Sequence, residues 1–286
     1  NERMIKIITD STAHLTPEQT KQFGITVVPA RVIFGTTEYR DDIDLNKEQF
    51  YAMLPTAKQH PTTSQPSAGD FVEAFKLWLD AGHEIVSIHL SSKLSGTYAS
   101  ANTAKTQMEE KAGKALPISI MDTQFISMAM GMMVITAAQA ATAGKSRAQI
   151  ETAVNALVSK TNLIILLDTL EYLKRGGRIN TARAFLGTAL NVKPMLEVKH
   201  GLIEALEQQR SRAKAVKRMA EIMEERVAGK PVHVTVLHSR ALEEATALEK
   251  DVRGRFTCKE VFVNEIGPAV GVHTGPGALG LAFYAD

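Results

Sequence analysis

Short apolar runs alternate with amphipathic stretches along the first half of the chain, and polar residues gather where a run ends. Met4 to Thr9 is a β-rich run that predicts a strand, ending in Asp10-Ser11-Thr12. Thr16-Pro17-Glu18 then opens a helix, with proline in the first turn, where its missing N–H costs nothing. Thr26 to Phe34 predicts a second strand, interrupted by Pro29, and Leu45 to Leu54 a helix. Phe71, Phe75 and Leu79 share one face of a helix over Ser67 to Asp80. Glu84 to Leu90 predicts a buried strand, followed by Ser91-Ser92-Lys93-Leu94-Ser95-Gly96-Thr97 and a helix to about Glu110. Ile118 to Met121 predicts the next strand, closed by Asp122-Thr123. The repeat of strand, polar loop and helix predicts an α/β fold. Ligands of open α/β sheets bind at the carboxyl ends of the strands, so the loops at Asp10, Ser91 and Asp122 are expected to share one edge.

The helix after Asp122 carries Met128, Met130, Met132 and Met133 around Gly131. Methionine fills irregular space, so this helix reads either as core under the sheet or as a wall shaped for an apolar ligand. A helix from Ser146 to Ser159 and a strand from Asn162 to Leu167 follow, and then the pattern changes. Leu173-Lys174-Arg175-Gly176-Gly177-Arg178-Ile179 reads as a basic, glycine-containing loop, and Val192 to Leu206 as a hairpin turning at His200-Gly201. A basic helix over Ser211 to Val227, a strand over Val232 to His238, a helix over Ala241 to Val252 and a strand over Glu260 to Glu265 precede a glycine-rich segment, Ile266 to Gly280, and a last strand to Ala285. Hairpins beside helices predict a second, α+β domain over 161–286, after a first domain over 4–160.

The 44% hydrophobic and 6% aromatic composition predicts a largely aliphatic core. Lys plus Arg, 33, nearly balance Asp plus Glu, 31, and the net charge of +2 gives no argument for nucleic acid or another polyanionic partner. The lone Cys258 cannot form an internal disulfide, which fits a cytoplasmic protein. No apolar run approaches the eighteen or more residues of a membrane span, and the N-terminus has no signal-peptide pattern, so a soluble protein is expected. Asn1-Glu2-Arg3, ahead of Met4, read as additions to the natural chain.

Several motif-like strings fail on context. Gly275-Pro276-Gly277-Ala278-Leu279-Gly280 matches G-x-G-x-x-G but leaves no room for the helix, second strand and acidic residue of a dinucleotide site. Gly144-Lys145-Ser146 lacks the first glycine of a P-loop, and Ser211-Arg212-Ala213-Lys214 lacks the companions of an S-x-x-K enzyme. The eight histidines form no ligand set, so neither a metal nor a cofactor is expected. Pro61-Thr62-Thr63-Ser64-Gln65-Pro66-Ser67 holds four hydroxyls and an amide between two prolines, a stiff loop that displays hydrogen-bond groups, with Ser67 able to cap the next helix. Ser64, Ser91, Ser92 and Ser95 with His273 as base leave a small-molecule hydrolase or transferase open, Asp10 or Asp122 orienting a histidine, although no G-x-S-x-G elbow surrounds any of these serines. The same hydroxyls and imidazole suit a carboxylate ligand better.

Thr9-Asp10-Ser11-Thr12, Pro61 to Ser67, Leu90 to Thr97, Asp122-Thr123, Leu173 to Ile179 and Ile266 to Gly280 stand in the order and rough spacing of the DegV family, which the chain resembles from about residue 4 to 286. The resemblance implies a Rossmann-like N-terminal domain with a parallel sheet and a C-terminal α+β domain, with a fatty acid in a tunnel between or beside them. It implies a non-catalytic carrier that presents a long-chain fatty acid to a separate fatty acid kinase for acyl-phosphate formation, with transient membrane contact open. Carried over by residue, it places the carboxylate at Thr63, Ser95 and His273, with Arg178, Ser64, Gly96 and Thr274 near the headgroup or a docked partner. Met128, Met130 and Gly131 become candidates for the tunnel wall. His14, Ala30 and Ala129 depart from the family's usual Asp, Leu and Gly, which bears on tunnel shape rather than on the carboxylate group.

Overall fold

The β-branched runs pair as parallel strands because each is flanked by a helix long enough to cross back over the sheet. A computed structural model describes residues 3–187 and 192–286. Asn1 and Glu2, two of the three expected additions, lie outside the described residues. The first sheet has the order β2-β1-β6-β7, from β1 (Ile5–Asp10), β2 (Ile25–Val28), β6 (Glu84–His89) and β7 (Ile118–Asp122), all parallel. Alternation decides what covers each face. Ile8, Ile85 and Ile118 pack under Phe71 and Phe75 of α3 (Ala68–Asp80) and Ala101 and Ala104 of α4 (Thr97–Ala112). Ile7, Val86 and Ile88 point the other way, onto α5 (Ser127–Thr142), which packs beside α6 (Arg147–Val158).

The second sheet has the order β10-β9-β8-β13-β11-β12 and takes every strand among the described residues of 162–285. Its strands are β8 (Asn162–Leu166), β9 (Lys193–Lys199), β10 (Leu202–Gln209), β11 (Val232–His238), β12 (Cys258–Glu265) and β13 (Leu279–Ala285). Only β11 and β12 run parallel. His200 and Gly201 turn the hairpin of β9 and β10 with φ of 51° and 80°, the pair of positive values that a tight hairpin needs. One face packs on α8 (Arg212–Val227) and α9 (Leu242–Arg255) through Met219, Met223, Leu248 and Val252. The opposite face, with Leu163, Leu237, Ala282 and Tyr284, shares a core with α5 and the first sheet. α5 is therefore buried from both sides, and its methionines fill the space between two twisted sheets. At Gly131 a Cβ would lie 2.9 Å from the Ala13 carbonyl oxygen, so glycine sets how closely α5 approaches the turn after β1.

Three expectations are corrected. Thr26 to Phe34 is not one strand: β2 ends at Val28, and after Pro29-Ala30 the chain starts β3 (Arg31–Phe34) in a separate antiparallel sheet of order β4-β3-β5, with β4 (Thr37–Arg40). Pro29 has no N–H for the ladder, and the strand breaks there. The stretch between Pro61 and Pro66 is not a free loop, because Thr62–Ser64 form β5, with Thr63 paired to Val32. The prolines hold it extended, and its free backbone groups find β3. The basic and glycine-rich segments also contain short helices, α7 (Glu171–Arg175) and α10 (Pro268–Thr274), the latter with proline at its first position. α10 packs on α2 (Lys47–Met53) and the small sheet, with Ala269 and Val272 in one cluster with Val32, Phe50 and Tyr51.

Candidate functional site

The carboxyl ends of β1, β6 and β7 do share an edge. Asp10 ties it together: Oδ1 accepts the Thr12 N–H at 3.0 Å and also the Thr12 hydroxyl, while Oδ2 accepts the Leu90 N–H at 3.3 Å and lies 2.9 Å from His89 Nδ1. His89 Nε2 is 2.6 Å from Ser87 Oγ, so Ser87, His89 and Asp10 form a serine-histidine-carboxylate row. All three are buried, with the Phe71 ring edge-on to His89. Asp10 thus orients a histidine, as one open reading required, but it is His89 rather than His273. Ser91 is committed as well, donating to the Gly201 carbonyl at 2.7 Å.

Beside this edge lies a cavity of about 90 Å³, well above the ~10–15 Å³ needed to admit a single water. Its apolar part is walled by Leu90, Leu94, Ile126, Ile165, Leu173 and Ile203, with Ala269 and Val270 from α10. Its polar part is made by Thr63, Ser64, Gln65, Ser95, Arg178, His273 and Thr274, with Thr12 and Thr97 along the wall. The small sheet, the loop after β6, the segment after α7 and α10 each contribute, so residues distant in sequence meet here.

Thr63 Oγ1 is 3.0 Å from His273 Nε2. The ring lies against Gly176, where any Cβ would collide with it, and its buried Nδ1 has no hydrogen-bond partner. Burial, with the Arg178 and His60 charges adding, pushes the His273 pKa down to about 4, so the ring is neutral at pH 7. Arg178 is pinned by two carbonyls, Nε to Leu94 O at 3.3 Å and Nη1 to Gly176 O at 2.9 Å. Among the described residues it has no carboxylate partner within ion-pair distance. Ser95 Oγ accepts the Thr97 N–H at 3.2 Å at the start of α4 and lies 2.9 Å from Thr97 Oγ1. Ser64 and Thr274 donate to the carbonyls of Gln65 and Gly275 at 3.2 Å each.

Thr63, Ser64, Ser95, Arg178, His273 and Thr274 are therefore brought together. Gly96 borders an adjoining recess with Ser95 and Arg178, and a Cβ there would lie 3.0 Å from Gln65 Nε2, so its role is to let that amide cross the start of α4. Met128, Met130 and Gly131 do not line the cavity; α5 turns them into the core between the sheets. Gln65, Thr97 and Gly176 sit within stretches already singled out but carried no assigned role. Ile126, Ile165 and Ile203 gave no local signal, since an isolated isoleucine in a strand or loop looks the same whether it meets a neighbour or a cavity. Among the described residues no three His, Cys, Asp or Glu side chains converge as metal ligands, and no helix is long and apolar enough to cross a membrane.

Comparison with known proteins agrees over the whole length. Residues 4–286 match the model of the DegV family, described as an uncharacterised protein family. A DegV domain-containing protein of Halalkalibacterium halodurans is 36% identical over 284 residues, 99% of each chain. Among solved structures, a DegV family protein of Thermus thermophilus described for its fatty acid binding superposes with a TM-score of 0.92 at 33% identity, covering 99% of this chain and 100% of that one. DegV of Bacillus subtilis, described as a fatty acid binding protein, gives 0.88 at 30% identity, covering 100% of both. The chain belongs to the DegV family.

Proposed function

We propose that this protein binds a long-chain fatty acid, tail among Leu90, Ile126, Ile165 and Ile203, carboxylate among Thr63, Ser95, His273 and Arg178. The observation that carries the reading is the makeup of the cavity: apolar walls together with neutral donors and an arginine that, among the described residues, has no carboxylate partner. Each methylene that enters the apolar part contributes about 0.8 kcal/mol gross, before the costs of ordering. An unpaired carboxylate would cancel much of that, so the donors matter. The fatty acid binding of the Thermus and Bacillus relatives supports the same ligand class.

The geometry also favours a carrier over an enzyme. Ser95 bonds Thr97, while His273 Nε2 faces Thr63, so Ser95 and His273 form no nucleophile and base pair. A carboxylate held by hydroxyl donors keeps its oxygen lone pairs available to a phosphoryl donor, and the adjoining recess bordered by Ser92, Lys93 and Arg178 gives access from outside. Presentation to a fatty acid kinase in the cytoplasm fits that arrangement, with the ligand lying between the parallel-sheet part (4–160) and the mixed-sheet part (161–286). Lipid extraction and native mass spectrometry of the purified protein test it. Recovery of about one fatty acid per chain is expected; an empty chain that turns over an acyl ester would overturn it in favour of a hydrolase.

A further inference from the structure

α10 carries Ala269, Val270, His273 and Thr274 into the cavity, yet it has no cap of its own. Gly267, at the N-cap, has no side chain to accept an N–H, and Pro268 at the first position has none to give. The Ala269 N–H is accepted instead by Asp41 Oδ1 at 2.9 Å, from a residue 228 positions earlier. Asp41 follows β4, is anchored through its own N–H to the Ala30 carbonyl at 2.9 Å, and is 2% exposed.

This carboxyl is costly where it sits. Oδ2 has no partner, and burial raises the Asp41 pKa to about 6, opposed by the nearby Ser11 hydroxyl and the Ala269 N–H. Asp42 and Lys47 act on it from its own loop and from α2, Tyr51 lies on the next turn of α2, and Asp10 and His14 border the same recess from the end of β1. His14 Nε2 also lacks a partner, and burial lowers its pKa to about 3, so no positive imidazole neutralises Asp41. What Asp41 does in return is hold the start of a seven-residue helix, too short to keep its place through helical propensity alone.

We propose that Asp41 is the positioning residue of the binding site: its carboxyl caps α10 from a distant loop and thereby holds the His273 ring against Thr63 and Gly176. This rests on the fatty acid reading, and its test separates the two. In Asp41→Ala, the His273 titration followed by NMR is expected to move from about 4 toward the ordinary 6.5, with Arg178 and His60 still facing the ring. Affinity for a fluorescent fatty acid is expected to fall about fivefold, the factor that a helix cap of about 1 kcal/mol converts to. Asp41→Asn, whose amide oxygen still accepts the Ala269 N–H, restores both. Asp41→Ser, which falls short of Ala269, replaces the alanine variant if that does not fold. An unmoved His273 titration in Asp41→Ala, or an asparagine variant as impaired as alanine, overturns the proposal. If the wild type takes up no fatty acid the proposed function fails, and the His273 titration still decides on the cap.

Discussion

Thr63→Val removes one hydroxyl at nearly constant shape. Thr63 Oγ1 lies 3.0 Å from His273 Nε2, and the ring is neutral because burial and Arg178 keep its pKa near 4. When the ring proton is on Nε2 it donates to Thr63, and the threonine proton is left for the ligand. A carboxylate then accepts from Thr63, and the ring fixes the direction of that bond. A hydrogen bond to a charged partner contributes about 1.5–3 kcal/mol, so the valine variant should weaken fatty acid binding by roughly ten- to a hundredfold. The assay is displacement of a fluorescent fatty acid, run with an acid and with its methyl ester. The ester has no anionic oxygen, so it should lose far less, leaving a coupling between headgroup and side chain of about 1 kcal/mol or more. Equal losses for acid and ester would mean that Thr63 shapes the cavity and does not read the carboxylate, and the headgroup assignment would have to be withdrawn.

Gly176→Ala places a methyl group in the His273 ring while leaving the backbone in a conformation alanine accepts, so it should cost at least as much affinity as Thr63→Val and also lower Tm through overpacking; wild-type affinity would show that the ring is not held there. Arg178→Gln should weaken binding of the acid and reduce its dependence on salt, and should slow acyl-phosphate formation by a kinase; an unchanged rate with kinase in excess would remove Arg178 from the headgroup. His14 is held at a pKa of about 3 by burial, below the ordinary 6.5, so its contribution to stability is present above pH 6.5 and is lost as pH falls toward 3. His14→Gln should therefore flatten the fall of Tm between pH 6.5 and 4; an unaltered slope would place the acid sensitivity elsewhere.

The order of strands and helices was legible because most apolar runs in this chain end on a polar residue or a proline. Ser67 and Ser146 cap α3 and α6 through capping boxes whose partners, Asp70 and Gln149, stand three residues on. The break at Pro29 was visible as an interruption, but not as a change of sheet, since sheet membership depends on β3 finding β4 and β5. The polar part of the site could be assembled from loops that resemble a family. Its apolar part could not: Met128 and Met130 read as core or as wall by residue type, whereas the cavity is lined by Ile126, the residue just before α5 begins, and by Ile165 and Ile203 from the other sheet. Burial between two sheets and burial against a cavity select the same side chains, and only the packing of the sheets separates them.

Two serine-histidine sets in this chain show why residue type alone does not make a catalyst. Ser87, His89 and Asp10 have the spacing of a hydrolytic triad, 2.6 and 2.9 Å between successive members, but all three are sealed under Phe71 and no substrate could reach the serine. Their use is mechanical: Asp10 fixes Thr12 and Leu90, two of the cavity walls, from beneath. Ser95 and His273 have the access that the first set lacks and not its geometry, because Thr97 occupies the serine and Thr63 the imidazole. A nucleophile needs a base on its own proton and an opening for substrate together. Here the two requirements are met by different residues in different places, and what is left at the open site is a set of donors suited to holding an anion still.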